Sequence, residues 1–457
     1  MLAKKRCLEI IGFQKEDSFG FNILGKNYFV QYSKGIFSAL PKDFRDILVA
    51  NFVYCRTKPL CLVSGKSLSY NFSKPDLKDF IDYGIKKDLP RIAFFEKLNA
   101  NKIIKQFEKS GNLEQFQKKI EDKNKIFSWQ TSQNKAVLAL SFGKDSLLSY
   151  GIAKELGLKI YPIYVMDKNN LNDPEEFFKK KIIKEFSKKE KLQINYLFDG
   201  ADNVFLNGSF KKNIAELENT NGMLAFSLEL IPFVKSFGAK YIIFGNEANF
   251  SDYFKKDGKK VYPSFDQSIF YSKKTNQNLK KITKNSVQIV SLVEPIYNIV
   301  EMAILRNRYS YLLPYLMSCS PKNNCDKWCY DCPMCAKAFL YFIACGGTAS
   351  QIGFNQDFFK LKYKRFYPLF NPLINRAYEK PKAVRDEQLL AFFLAFQRGI
   401  KGDLISLFEK VYLKEAKSRQ SELKKKFLII NKVATIPKEI RSKVINIYKE
   451  EIKKIMV

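Results

Sequence analysis

The apolar run Ala136-Val137-Leu138-Ala139-Leu140 ends in Ser141-Phe142-Gly143-Lys144-Asp145-Ser146, and apolar residues then recur at helical spacing at Leu148, Ile152 and Leu156. A strand that passes through a short glycine-containing loop into a helix commits the surrounding chain to an α/β arrangement. It also dictates chemistry. Several backbone N–H groups and the positive end of the helix dipole converge on one point, and phosphate is the usual occupant of such a point. Gly143 lets the backbone approach an anion. Lys144 adds charge, and the Ser141 and Ser146 hydroxyls can donate to phosphate oxygens. The spacing is not that of a Walker loop, Gly-x4-Gly-Lys-Ser/Thr. Gly65-Lys66-Ser67 lacks the first glycine of that motif, because position 60 is leucine, and reads as a turn.

Strand patterns at 136–140, Ile160–Met166, Ile194–Phe198, Tyr241–Phe244 and Val287–Val293 are separated by helical ones. This alternation predicts an α/β fold with a parallel sheet and helices on both faces. Ligands of such sheets bind at the carboxyl ends of the strands. The 141–146 loop, the loop after Val165 and the loop after Phe244 therefore share one rim. Residues 1–130 are expected to form an N-terminal α+β domain, with a hairpin of Phe19–Ile23 and Tyr28–Tyr32 around Gly25-Lys26-Asn27. Helical patterns follow near Phe44–Tyr54 and Ile92–Phe107. The polar stretch Glu121–Lys135 reads as a linker. Residues 131–345 are expected to form the domain that carries the 141–146 loop and the cysteine cluster, and 346–457 a mainly helical region that includes Glu387–Arg398 and Lys438–Ile455.

The 457 residues carry a formal charge of +32. Nearly all the positive charge is lysine spread along the whole chain, so it reads first as a composition bias. Anionic nucleotide substrates suit it; nucleic acid is compatible with it but not favoured. The chain contains no histidine, so proton transfers must use Lys, Asp, Glu, Cys, Tyr or water. No apolar run reaches eighteen residues, and the start lacks a long apolar segment. The expectation is a cytoplasmic protein without membrane insertion.

Five of the nine cysteines fall within residues 319–335. Cys329, Cys332 and Cys335 are separated by two-residue spacers, and Cys319 lies upstream. Short spacers let one turn present two thiolates at zinc–sulfur distance, and a remote thiolate closes the tetrahedron. Four sulfur ligands leave no open position, which makes the site structural. Cys325 competes with Cys319 for the fourth place, and an iron–sulfur cluster is the alternative metal. The clustering suits a reducing compartment.

The 141–146 loop resembles the PP-loop, Ser-Gly-Gly-x-Asp-Ser, of the ATP pyrophosphatase superfamily, with Phe142 in place of the first glycine. Members cleave ATP between the α and β phosphates and transfer AMP to a substrate oxygen. With the cysteines, and with Tyr262-Pro263, Asp266 and Phe270, the chain resembles the 7-cyano-7-deazaguanine synthase branch, which activates a carboxylate and converts it to an amide and then a nitrile. Cysteines beside an ATP loop also occur in RNA-modifying, tRNA-thiolating relatives. Over the full length the chain is more similar to the UDP-N-acetylmuramoyl-L-alanyl-L-glutamate epimerase family. The matching blocks are Gly143–Ser146, Gly245-Asn246-Glu247, Ser268 within Val261–Phe270, Leu292–Arg306 with Pro295, Glu301 and Ala303, and Trp328–Cys335 leading into Phe339-Leu340. Lys380-Pro381, Glu387 and Ala391 echo it more weakly. That family often has a histidine where this chain has Pro263.

The resemblance implies an ATP- and Mg2+-dependent isomerase that inverts the terminal glutamate of a peptidoglycan precursor, a nucleotide-linked small molecule, and releases AMP and pyrophosphate. Ser141, Gly143, Lys144, Asp145 and Ser146 would hold pyrophosphate. Lys144, Asp145 and Glu247 would act in catalysis, with Asp145 and Glu247 near Mg2+. Val165 and Asp167 would meet adenine and ribose. Arg306, Arg308 and Ser268 would meet the substrate, Zn2+ being held by Cys319, Cys329, Cys332 and Cys335. Each role has a plainer alternative: a helix cap for Glu247, an ion pair for Arg306, a helix-start position for Asp145.

Overall fold

A computed structural model describes residues 7–111, 114–117, 127–167, 173–205, 210, 214–321, 326–374 and 376–456. Its strands, in chain order, are β1 (Cys7–Gln14), β2 (Ser18–Ile23), β3 (Lys26–Tyr32), β4 (Ser67–Tyr70), β5 (Gln115–Phe116), β6 (Ser132–Ala139), β7 (Lys159–Asp167), β8 (Asn195–Asp199), β9 (Ala239–Phe244), β10 (Phe254–Lys256), β11 (Lys259–Val261) and β12 (Gln288–Ser291). Ten of them form one sheet in the order β12-β9-β6-β7-β8-β3-β2-β1-β4-β5, and β10 and β11 form a separate hairpin. The five strands from β12 to β8 are all parallel. From β6 the chain moves to β7 and β8 on one side, then returns to β9 and β12 on the other. The strand order thus reverses beside β6, the position at which open α/β sheets bind ligands.

Side chains alternate across the sheet with period two, and each face has its own core. Val137, Ile163, Leu197 and Ile242 face one layer, built with the helices Lys42–Thr57 and Gly222–Phe237. Ala136, Leu138, Tyr164, Met166 and Ile243 face the other, built with Asn298–Asn307, Pro333–Ala344 and the C-terminal helices. Residues before position 130 therefore cover one face, and those after 346 cover the opposite one. The sheet itself continues across the boundary expected near residue 130, because β3 pairs antiparallel with β8.

Several local expectations shift. The first hairpin closes through Leu24-Gly25, with φ of 52° and 81°, and Ile23 faces Lys26. Two left-handed residues match the twist of a two-residue loop, so Lys26 and Asn27 join β3. The pattern at Ile92–Phe107 is two helices, Lys78–Phe95 and Ala100–Gly111, separated by left-handed Lys97. In the expected linker, 121–126 lie outside the described residues, and 132–135 already belong to β6. Gly65 ends a short helix in the left-handed conformation before β4, as a turn should. The later helices span Lys382–Gln397 and Lys438–Met456. One helical run, Lys42–Ser64, is long and apolar enough to cross a membrane by composition, but 89% of its most apolar window is buried within the protein.

Candidate functional site

Gly143 stands at the N-terminus of the helix Lys144–Glu155, and no side chain caps it. Its first N–H groups are left for another acceptor. Ser141, Gly143, Lys144 and Asp145 line a cavity of about 490 Å³. The Ser141 and Ser146 hydroxyl oxygens lie 3.3 Å apart, and the Ser146 hydroxyl donates to the Gly143 carbonyl at 3.1 Å. Phe142 keeps the left-handed backbone that its position requires, with φ of 62°. A glycine would adopt this without strain. The phenyl ring is fully buried against Tyr164 and Phe186 and lies under the Lys179 ammonium, so packing offsets the strain.

Lys144 is the hub of the cavity. Its ammonium donates to Glu247 Oε2 and Glu301 Oε2 at 2.8 Å each, and to Asp145. Burial pulls its pKa down, but the three carboxylates, Asp145 foremost, hold it well above the usual lysine value. Burial pushes Glu301 well above the usual carboxylate range, with Asp145 and Glu247 adding to it. Burial also raises Glu247, whereas Lys144 overcomes burial at Asp145 and holds it low. Three acids face one lysine here. Glu301 Oε1 is buried, and among the described residues nothing donates to it, which suits a proton or a cation there. One oxygen from each acid lies within 4.8 Å of the others, which suits a divalent cation.

The sheet sets this convergence. Glu247 follows β9, and Glu301 lies on the helix Asn298–Asn307 after β12. Gly245 lets the end of β9 pass the loop: a Cβ there would stand 2.6 Å from the Asp145 Cβ. At the base of that helix, buried Glu387 accepts from Asn298 Nδ2 at 3.0 Å and from the Ile299 N–H at 3.1 Å. Burial, with Glu247 adding, pushes Glu387 up to about 7. Lys337 pairs with Glu379 at 2.7 Å, and both line the cavity with Asn298, Tyr341 and Pro263.

Cys319, Cys329, Cys332 and Cys335 converge on a second point, with their sulfurs all within 4.8 Å of one another. Cys335 Sγ lies 3.4 Å from Cys319 Sγ and 3.6 Å from Cys329 Sγ. Zinc–sulfur bonds near 2.3 Å imply tetrahedral edges of about 3.8 Å. Backbone N–H groups of Cys329, Asp331 and Cys335 donate to the sulfurs of Cys319, Cys329 and Cys332, as thiolate ligands require. The cluster can hold a metal such as zinc. Cys325 lies outside the described residues. The cluster also abuts the loop. The Met317 N–H donates to the Phe142 carbonyl at 2.8 Å, and the Lys179 ammonium bridges the Ser141 and Met317 carbonyls. Ser318 and Cys319 line the same cavity as Lys144.

Not every expected residue reaches this place. Val165 lines an adjoining space of about 320 Å³ that shares Ser141 and Lys179 with the main cavity. Asp167 ends β7 opposite Asp199, and its side chain lies outside the described residues. Ser268 is buried as the cap of the helix Ile269–Thr283. Arg308 ties Glu155 to Glu450 of the last helix, and Arg306 bonds to Asn307; neither lines the cavity. Glu301, Lys179, Lys337, Glu379 and Glu387 were not assigned roles from sequence. Lys179 sits in a lysine-rich helix where nothing local distinguishes it. Glu301 lies in the 292–306 block but carries no motif of its own.

Compared with known proteins, the chain matches no family model and no curated protein.

Proposed function

We propose that this protein is an ATP-dependent, AMP-forming PP-loop enzyme of the epimerase type. In this reading it adenylates the terminal glutamate carboxylate of UDP-N-acetylmuramoyl-L-alanyl-L-glutamate and inverts that residue. The observation that carries the reading is the cavity where an uncapped helix N-terminus meets Lys144, Asp145, Glu247 and Glu301. Free N–H groups and Ser141 suit pyrophosphate, and the acid triad suits a divalent cation, which would neutralise phosphate charge. Val165 lines the adjoining space, which supports assigning adenine and ribose to that side.

A free carboxylate resists loss of its α-proton, because a dianion results. Adenylation removes that charge and leaves an electron-poor carbonyl. The α-proton then becomes acidic enough for a side chain to take. The planar enolate is reprotonated on its other face, and water releases AMP. The base cannot be a histidine, and position 263 offers only an apolar proline in the wall. We assign proton transfer to the Lys337–Glu379 pair, which lines the cavity and is largely shielded from water. Zinc in this reading is structural, holding the 317–320 segment against the loop.

The test is to incubate the protein with ATP, Mg2+ and the UDP-linked dipeptide. AMP and pyrophosphate are expected, with D-glutamate recovered from the product. Release of ADP and phosphate would refute the reading, as would AMP formation only with 7-carboxy-7-deazaguanine. Lys337→Met should still release AMP yet fail to invert the glutamate.

A further inference from the structure

The fold brings seven lysines from three separate segments to one outer face. The helix Lys78–Phe95 brings Lys86 and Lys87, and the β10–β11 hairpin brings Lys259 and Lys260, to a groove of about 790 Å³. This groove shares Asn101 and Lys105 with a second one of about 650 Å³, lined also by Lys102 and Lys109. Lys102, Lys105 and Lys109 are spaced i, i+3 and i+7, so they form one stripe along the helix Ala100–Gly111. From Lys102 to Lys109 the stripe runs about 10 Å. Among the described residues, Glu108 is the one acid lining either groove, and it is paired with Lys86.

Aromatic rings line the same track. Tyr83, Tyr262, Phe265 and Phe270 border the larger groove, and Phe270 is 50% exposed. Lys274 stands over both Tyr83, at 5.0 Å, and Phe270, at 5.4 Å. Lys87 stands over Tyr83, and Lys260 is 4.3 Å from the ring centre of nearby Tyr253. An exposed ring beside unpaired ammonium groups can stack a base while the cations hold its phosphates. A lysine-rich composition alone gives a mixed surface and does not select rings.

We infer that this face binds single-stranded nucleic acid, in a manner independent of the chemistry proposed for the cavity. The cations lie along a track longer than one nucleotide, and among the described residues no arginine fork lines it to read base edges, so binding is expected to be tolerant of sequence.

The test is fluorescence anisotropy of the full chain with labelled twelve-residue oligo-U and oligo-A at two salt concentrations. If about four phosphates are neutralised, affinity should fall about fifty-fold between 50 and 200 mM salt. Lys87→Glu, Lys105→Glu and Lys260→Glu combined should abolish binding, and Phe270→Ala should weaken it severalfold. The control carries the same charge change on the C-terminal helix Lys438–Met456, in the opposite layer of the sheet, Lys443→Glu, Lys449→Glu and Lys453→Glu, all of them exposed. Equal loss in that control would overturn the proposal and leave net charge as the cause. Displacement of the oligomer by micromolar UDP would overturn it in favour of a mononucleotide site. Tighter binding to phosphatidylserine vesicles than to either oligomer, lost in the groove variant, would overturn it in favour of a membrane surface. All six substitutions replace exposed side chains, and Phe270→Ala removes a half-exposed ring, so circular dichroism should show unchanged folding.

Discussion

Lys144 and Glu301 are 157 positions apart in sequence and 2.8 Å apart in the cavity. That contact completes a cluster in which one ammonium serves three carboxylates, two of them buried. Removing the cation leaves buried acids without a counter-charge, which typically costs about 3–5 kcal/mol. Lys144→Met should therefore be destabilised by that order, and part of the loss should return on adding Mg2+, which can replace the missing charge. Urea unfolding with and without Mg2+ measures both. A variant as stable as the parent, or one indifferent to Mg2+, would remove the case for a cation at the triad.

Phe142 sets two effects against each other. Its left-handed backbone costs about 1–2 kcal/mol for a residue with a Cβ. Its buried ring, however, is worth about 3–5 kcal/mol by the usual cost of truncation. Phe142→Gly should thus lose about 2–3 kcal/mol net, while Phe142→Ala loses more because it keeps the strain. Chemical denaturation of the pair decides the order. If alanine proves the milder change, the left-handed conformation is not what this position demands.

The cysteine cluster and the loop are joined through Met317 and Phe142, so metal and nucleotide binding should be coupled. Elemental analysis is expected to give one zinc per chain and no inorganic sulfide. Stripping the metal with a chelator, or changing Cys332→Ser, should weaken ATP binding at least tenfold in equilibrium dialysis, and restored zinc should recover the stripped protein. Unaltered ATP affinity after metal removal would show that the 317–320 segment holds its place without the cluster.

The extent to which the sequence disclosed this site follows the range of the signals involved. Ser141–Ser146 and Cys329–Cys335 are compact, and local spacing alone placed their residues together. Glu247 and Glu301 meet Lys144 only because β9 and β12 lie on the same side of β6, a matter of strand order that periodicity does not encode. The parallel strands read well because they are buried on both faces and continuously apolar. β1 and β4 did not: β1 alternates buried and exposed residues over Leu8–Ile11, but the exposed Ile11 is apolar and hides the period, and β4 has four residues beginning beside a turn. Arg306 and Arg308 were expected to meet the substrate, but the Arg308 guanidinium finds a surface carboxylate, Glu155, and Arg306 finds Asn307, regardless of any ligand. Gly245 reads as any loop glycine until the position of Asp145 is known.

Glu387 gives the site a pH signature. Burial, with the charge of Glu247, raises its folded pKa to about 7, against about 4.3 for an exposed glutamate in the unfolded chain. Between those values the folded protein binds the extra proton, so stability falls as pH rises. The contribution of this group is complete below about pH 4.3 and is lost as pH rises through about 7. The carboxyl is 1% exposed, so solvent screening does not reduce the effect. The shift from about 4.3 to about 7 corresponds to about 4 kcal/mol. Glu387→Gln retains an acceptor for the Ile299 N–H but cannot ionise, so unfolding free energies at pH 5 and pH 7.5 should differ less in the variant than in the parent, by about 2–3 kcal/mol. Glu301 and Glu247 remain ionisable in both proteins, so the difference reports Glu387 together with its coupling to Glu247. An identical pH slope in the two proteins would mean that Glu387 is already ionised at pH 5, with Asn298 and the helix N-terminus stabilising its charge more than burial opposes it.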